Sequence, residues 1–387
     1  MKLIRILTLL PVALGAPAPS TEPQCQTLNL SITASARNWK FPPYTNAGKP
    51  TPFLSWLTSF NASEAPKHTV SGTYRISATY CTPSVKIMER EDTIQLLLHG
   101  LGSNKKYWSG NDFPNSTFPG QYSWIYHATN QGFSTLAIDN LGSGDSERPD
   151  PVQAVQGPLQ IEIIKNIIHQ LKQKNGGLTP DKKTFKKVVM VAHSKGSLTA
   201  RAIAVQYPDS GADAYILTST SSNLVGINTF IGLTEPLPAS TVWPTRFPSL
   251  DPAYVAISKD ALRDTVYPSD GFFDPAMLAW DESRPYVFAA GEVAAPSAND
   301  TTSFCGPVLV ITGREDAIVC SQAANITATL PDCGVGKTSN PGLTKERFPN
   351  AKFEVFVPEH TAHNYVFGYE AGKSFAAATQ FLSDNGF

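Results

Sequence analysis

Apolar residues fall at alternate positions in two early stretches, Leu28, Leu30 and Ile32, then Tyr74, Ile76 and Ala78. A period of two marks a half-buried strand, so these runs predict antiparallel strands at one edge of a sheet. After residue 90 the texture changes. Short, largely apolar runs occupy 94–98, 135–138, 188–192, 215–217, 308–311 and 353–357. Runs of that length, rich in β-branched residues, predict strands buried on both faces. Between them Ile161, Ile163, Ile164, Ile167, Ile168 and Leu171 fall at helical spacing with a wide apolar face. Further helices are predicted through 200–205 and from about 370 to 382. Strands alternating with helices predict an α/β fold, with a mostly parallel central sheet flanked by helices. Residues 223–303 break the rhythm with Pro- and aromatic-rich stretches such as WPTRFPSLDPAYV. They are read as an inserted cap over the C-terminal edge of the sheet, leaving 19–222 and 304–387 as the core. No internal repeat or low-complexity tract is visible.

The first residues alter the picture of the compartment. Lys2 and Arg5 precede an apolar run from Ile6 to Leu14, and Gly15, Ala16 and Ala18 follow. That pattern predicts a secretory signal over about 1–18, too short to anchor in a bilayer. No later segment is apolar enough to span a membrane, so an extracellular protein is expected. In an oxidising compartment the cysteines at 25, 81, 305, 320 and 333 favour disulfides, and their odd number leaves one over. Cys25 and Cys81 flank the two alternating runs and are expected to pair. Among the rest, Cys320 with Cys333 closes a short loop. Sequons at Asn29, Asn61, Asn115, Asn299 and Asn325 predict glycosylation.

The charge is nearly balanced, 31 basic against 32 acidic residues. Loss of Lys2 and Arg5 with the signal leaves 29 against 32, about −3, which gives nucleic acid no purchase. The lysines between 182 and 187 read as a solvated loop. No Cys-x-x-Cys or His-Glu-x-x-His occurs, and Gly-Ser-Gly at 142–144 is too weak for a nucleotide site. Neither metal nor cofactor is expected, and the oligomeric state is open.

The sharpest chemical signal is VVMVAHSKGS, where a strand meets Ser194 and turns directly into a helix. A nucleophile on such a turn stands clear of the sheet, and its neighbours must be small, as Ala192 and Gly196 are. Serine needs a base, and a histidine held by a carboxylate can supply one near neutral pH. His360 and His363 compete for that role. His193 reads as a packed histidine pointing away from any pocket.

These segments resemble the α/β-hydrolase family over nearly the whole mature chain. HGLGSNKKYW is similar to its His-Gly oxyanion segment, AIDNLGSGDSERPDP to the following Asp-x-x-Gly-x-Gly loop and AHSKG to its nucleophile elbow, with Ala192 replacing the usual first glycine. VLVITGREDAIVC resembles the strand and loop that deliver the acid, and HTAHNYVF the segment that delivers the base. The chain also resembles fungal secreted hydrolases and esterases. The resemblance implies Ser194 as nucleophile, Asp316 as the orienting acid after a tight turn at Gly313, and His363 as base. It assigns the oxyanion N–H groups to Leu101 and Lys195, supported by His99, Gly100 and Gly196, with Gly100 and Gly102 freeing the loop to turn. Asp139 becomes a loop-fixing residue. The Lys195 side chain is expected to pair with a carboxylate such as Glu315, or else to favour an anionic substrate.

The implied activity is hydrolysis of a carboxylic ester or lactone of a small to medium apolar molecule through an acyl-enzyme. A serine at 194 argues against dehalogenase or epoxide hydrolase chemistry, where the family places aspartate. Two alternatives stay open: a lyase or cyclase of secondary metabolism on the same scaffold, and a non-catalytic binding protein.

Overall fold

In the computed structural model of the chain, residues 22–44, 53–173, 177–222, 227–257, 266–295, 300–320 and 333–387 are described. The predicted signal segment and the sequons at Asn299 and Asn325 lie outside them. In chain order the strands are β1 (Gln24–Trp39), β2 (Lys67–Thr82), β3 (Thr93–Leu98), β4 (Ser134–Ile138), β5 (Lys187–His193), β6 (Ala214–Thr218), β7 (Leu237–Pro238), β8 (Tyr254–Ala256), β9 (Val287–Ala289), β10 (Pro307–Ile311) and β11 (Lys352–Phe356). Eight form the main sheet, in the order β1-β2-β4-β3-β5-β6-β10-β11. The alternating runs pair as expected: β1 is the antiparallel edge, β2 is antiparallel to β4, and every later neighbour is parallel.

Alternation within the apolar strands feeds two cores. Leu97, Val189, Val191, Ile216, Leu309 and Ile311 point to one face, where the helix Ala371–Asp384 adds Phe375 and Leu382. Leu96, Leu98, Val188, Met190, Leu217 and Val310 point to the other, covered by the isoleucine stripe of the helix Gly157–Lys172. Each fully buried aliphatic side chain contributes about 1.5–3 kcal/mol, so this double burial is the main force holding the sheet. β11 departs from expectation. Predicted as a buried strand, it is the opposite edge, with Lys352 and Glu354 exposed and Phe353, Val355 and Phe356 half-buried.

The described residues of 227–257 and 266–294 build a layer of their own, with the antiparallel sheet β7-β8-β9 and helices Ile227–Thr234, Pro275–Glu282 and Ala290–Ala294. Its last helix sits close against the body: the Gly291 N–H donates to the Pro151 carbonyl at 2.8 Å, and a Cβ on Gly291 would lie 2.4 Å from the Val152 carbonyl oxygen. A segment between β1 and β2 joins this layer, with Phe53 packed edge-on to Phe288.

Cys25 and Cys81 are direct partners in the β1–β2 register and form a disulfide. Cys320 and Cys333 form another, and Cys305 is exposed and unbonded. Asn29, Asn61 and Asn115 are exposed. Among the described residues no helix is long and apolar enough to cross a membrane.

Candidate active site

β5 ends at His193, the helix Lys195–Gln206 begins at Lys195, and Ser194 is the single residue between them. Its backbone has φ 52° and ψ −116°, a region that costs a non-glycine residue of order 1–3 kcal/mol. The surroundings hold that strain: Ser194 donates its N–H to the Thr218 carbonyl at 2.9 Å, while its own carbonyl accepts from Leu198. Gly196 is required by close approach, since a Cβ there would sit 2.6 Å from the His99 carbonyl oxygen and 2.8 Å from that of Leu98.

His363 meets this serine from the loop after β11. Its Nε2 lies 2.8 Å from Ser194 Oγ, and its Nδ1 lies 2.9 Å from both carboxylate oxygens of Asp316. Asp316 is fully buried after β10, and its Oδ1 also accepts the N–H groups of Ile318 and Val319 at 3.0 and 3.1 Å. A carboxylate can only accept, so Nδ1 carries the proton and Nε2 presents its lone pair to the serine. The loops reach this geometry because Gly313 lets them touch: a Cβ there would be 2.1 Å from the Thr361 carbonyl oxygen. Ser219 completes the mount by donating to the His363 carbonyl at 2.6 Å. His360 stays outside, half-exposed, stacked on Phe272 and 3.4 Å from Glu315.

Behind the serine, the Gly100 loop is locked by His99. The Asn140 N–H donates to His99 Nε2 at 3.0 Å, so Nδ1 bears the ring proton and donates it to the Gly100 carbonyl at 2.8 Å. Ser103 donates to the same carbonyl at 3.3 Å. In a trans peptide C=O and N–H point opposite ways, so fixing the Gly100 carbonyl fixes the direction of the Leu101 N–H. The backbone requirement at Gly100 is space, not freedom to turn. A Cβ there would meet the His193 ring at 2.9 Å and Ser194 Cβ at 3.1 Å, whereas Gly102, at φ +72°, does need the left-handed region. Asp139 fixes the neighbouring loop as expected. It accepts the Lys105 N–H at 2.7 Å, the Lys105 ammonium at 2.6 Å and the Asp145 N–H at 2.8 Å.

Two expectations need correction. His193 does not point away from the pocket. It lines the cavity beside Ser194, stacked on Tyr107 with centroids 4.4 Å apart and 5.1 Å from the His363 ring. The residue before Ser194 can reach the cavity because the backbone reverses so sharply at Ser194. Burial, with His363 and His99 beside it, drives its pKa well below the ordinary histidine value, so the ring is neutral. Lys195 does not pair with Glu315, which instead accepts from Ser269. Its charge is felt by Glu292 on the helix Ala290–Ala294. Burial lowers the Lys195 pKa and pushes Glu292 up to about 7, each effect opposed by the other group's charge.

The cavity over Ser194 has a volume of about 430 Å³. Its wall is largely apolar, with Leu101, Leu198, Ile257, Val266 and Ile318 facing Tyr107 and Tyr286. Ala62 and Ser63, from the segment between β1 and β2, also line it; the sequence marked them only as part of the Asn61 sequon, not as cavity residues. Tyr286 is tied to the buried Asp281, which also accepts from Tyr267 at 2.9 Å and Asn111 at 2.6 Å. Among the described residues no three His, Cys, Asp or Glu side chains are grouped to hold a metal ion.

Comparison with known proteins places this geometry in a wider set. The model of a family described as alpha/beta hydrolases matches residues 95–377. No curated protein matches the chain. Among solved structures, an esterase from Thermogutta terrifontis is similar at 14% identity and a TM-score of 0.51, over 93% of this chain and 100% of that one. An epoxide hydrolase from Vigna radiata is similar at 16% identity and a TM-score of 0.52, over 80% and 95%. A bromoperoxidase from Bacillus anthracis follows at 14% and 0.50, over 81% and 96%. At such identities the likeness is one of fold.

Proposed function

This chain belongs to the alpha/beta hydrolase family, and from that premise we propose that it is a secreted serine hydrolase of carboxylic esters or lactones, acting through an acyl-enzyme on Ser194. The observation that carries the reading is the continuous contact from Asp316 through His363 to Ser194 Oγ, at 2.9 and 2.8 Å. In this reading Ser194 Oγ attacks the ester carbonyl carbon while His363 Nε2 takes the hydroxyl proton. Asp316 keeps the ring in the productive tautomer and balances the imidazolium. The oxygen that gains charge is met by the N–H groups of Leu101 and Lys195, the first aimed by the His99 latch, the second at a helix N-terminus. Collapse breaks the bond to the alkoxy oxygen, which leaves as the alcohol with the proton from His363. Water, deprotonated by His363, then attacks the acyl carbon, releasing the acid and restoring Ser194. In a lactone the alcohol stays tethered to the acyl chain.

The largely apolar cavity of about 430 Å³ suits a small to medium apolar acyl or alcohol group. Disulfides at Cys25–Cys81 and Cys320–Cys333, with the sequons exposed at Asn29, Asn61 and Asn115, support an exported glycoprotein. A panel of chromogenic esters of rising acyl length tests the activity. Turnover is expected on short and medium esters, and Ser194→Ala should abolish it. A rate that jumps only when a long-chain lipid forms an interface would instead identify a lipase. No turnover across esters and lactones would reject hydrolysis and favour a lyase or cyclase.

A further inference from the structure

A second cavity, also about 430 Å³, lies between the inserted layer and the body. Ser103 belongs to the walls of both cavities, so the loop that carries Leu101 separates them. The second differs in chemistry. Its lining holds Lys105, Lys106, Arg148, Arg246 and Arg284 against only Asp139 and Asp145 as carboxylates. Both carboxylates are engaged by the Lys105 ammonium, at 2.6 and 2.9 Å. Lys106 is paired with Asp112 at 2.8 Å.

Among the described residues none of the three arginines forms an ion pair with a carboxylate, and Arg148 feels Asp145 and Asp139 only at longer range, both already held by Lys105. Arg148 donates to the Gly144 carbonyl and lies over the Phe247 ring, 5.6 Å from its centroid. Arg284 lies over Trp280 at 3.7 Å and reaches only the Ser283 hydroxyl, at 3.4 Å. Arg246 is exposed, and its charge acts against that of Arg148, helping burial to lower the Arg148 pKa. Donors in this wall also lack acceptors. Arg148 Nε and Trp243 Nε1 are buried with no hydrogen-bond partner. Like charges converging on a cavity repel, and buried donors without acceptors lose the hydrogen bonds that water would give them. Both deficits are met by the same thing, a ligand that brings negative oxygens.

We propose that this cavity is a binding site for a multiply charged oxyanion, held by Arg148, Arg246 and Arg284 against the rings of Trp243 and Phe247. Guanidinium forks match the paired oxygens of phosphate or carboxylate, and the rings offer a face to an attached organic group. Arg148 comes from the body, and Arg246 and Arg284 from the inserted layer. A bound anion therefore clamps the two together and stabilises the fold in proportion to its occupancy.

Thermal unfolding of the full chain, titrated with inorganic phosphate against sodium chloride of equal ionic strength, tests this. The expected result is a saturating rise in melting temperature with phosphate and none with chloride. Arg246→Gln and Arg284→Gln together should weaken apparent phosphate affinity by about tenfold or more, with the chloride midpoint little changed. A rise absent beyond the chloride control, or one that persists unchanged in the double variant, would overturn the site. Phenylglyoxal mapping on the unmutated protein gives an answer that needs no variant. Phosphate should protect Arg246 and Arg284 from modification, and equal modification with and without it would refute the proposal. Phenyl phosphate binding tighter than inorganic phosphate assigns the site to organic phosphates, and citrate binding tighter assigns it to polycarboxylates. Either result supports an oxyanion site.

Discussion

At Asp316 one side chain performs two tasks, anchoring its own loop through the Ile318 and Val319 N–H groups and holding His363 Nδ1. Asp316→Asn should keep the fold, because an amide oxygen still accepts from the loop. An amide N–H facing Nδ1 favours the wrong tautomer, however, and turnover should fall of order 10⁴-fold. Steady-state kinetics with circular dichroism on the same sample checks both halves. His99 offers a second test. If it aims the Leu101 N–H through the Gly100 carbonyl, His99→Ala should lower kcat about 10²-fold with KM little changed, as for loss of one oxyanion donor. A variant with unchanged kcat would remove His99 from that role. Ser194 was legible in the sequence because a strand, a serine, a glycine and a helix appear consecutively. The surroundings of His193 and Lys195 were not, because the partners Tyr107 and Glu292 are about ninety residues away in opposite directions and no motif links them.

Elements extend the same lesson. The parallel strands could be read because each is a short apolar run buried on both faces, whereas β11 could not be recognised as an edge from composition alone. The helix Ala290–Ala294 carries a prediction of its own through Glu292, whose pKa burial raises from 4.5 to about 7. Between those values the folded chain holds a proton that the unfolded chain has released. Stability should therefore fall as pH rises across that window and level off above about 7, by an amount of the order of 1–3 kcal/mol. Burial raises Asp281 to about 7 as well, so Glu292→Gln should reduce the slope in that window and leave the part due to Asp281, measured by denaturant unfolding at a series of pH values. An identical slope in the variant would place the titration elsewhere. The elbow helix is limited by space. With a Cβ only 2.6 Å from the His99 carbonyl oxygen, Gly196→Ala must move β3 or the helix, and a loss of at least 1–3 kcal/mol is expected in the same assay.

Across the whole molecule, Ser194, Asp316 and His363 come from loops at one end of the parallel strands, while the cavity wall is completed by Phe230, Ile257, Val266 and Tyr286 and by the segment before β2. The break in rhythm after residue 222 was visible in the sequence, but the contribution of Ala62 and Ser63 to the cavity was not, since a sequon says nothing of what its residues pack against. The Cys25–Cys81 disulfide fastens the outermost strand across a separation of 56 residues. Replacing both cysteines with serine should cost about 2–4 kcal/mol in unfolding free energy and leave ester turnover intact, because the edge strand is remote from Ser194. The claim on which all of this rests is that Ser194 is a nucleophile activated by His363. Labelling the intact protein with a fluorophosphonate and mapping the adduct by mass spectrometry tests it most directly. A single adduct on Ser194, lost in His363→Ala at neutral pH, is the predicted result. An adduct on another serine, or none on Ser194 in the folded protein, would contradict the account.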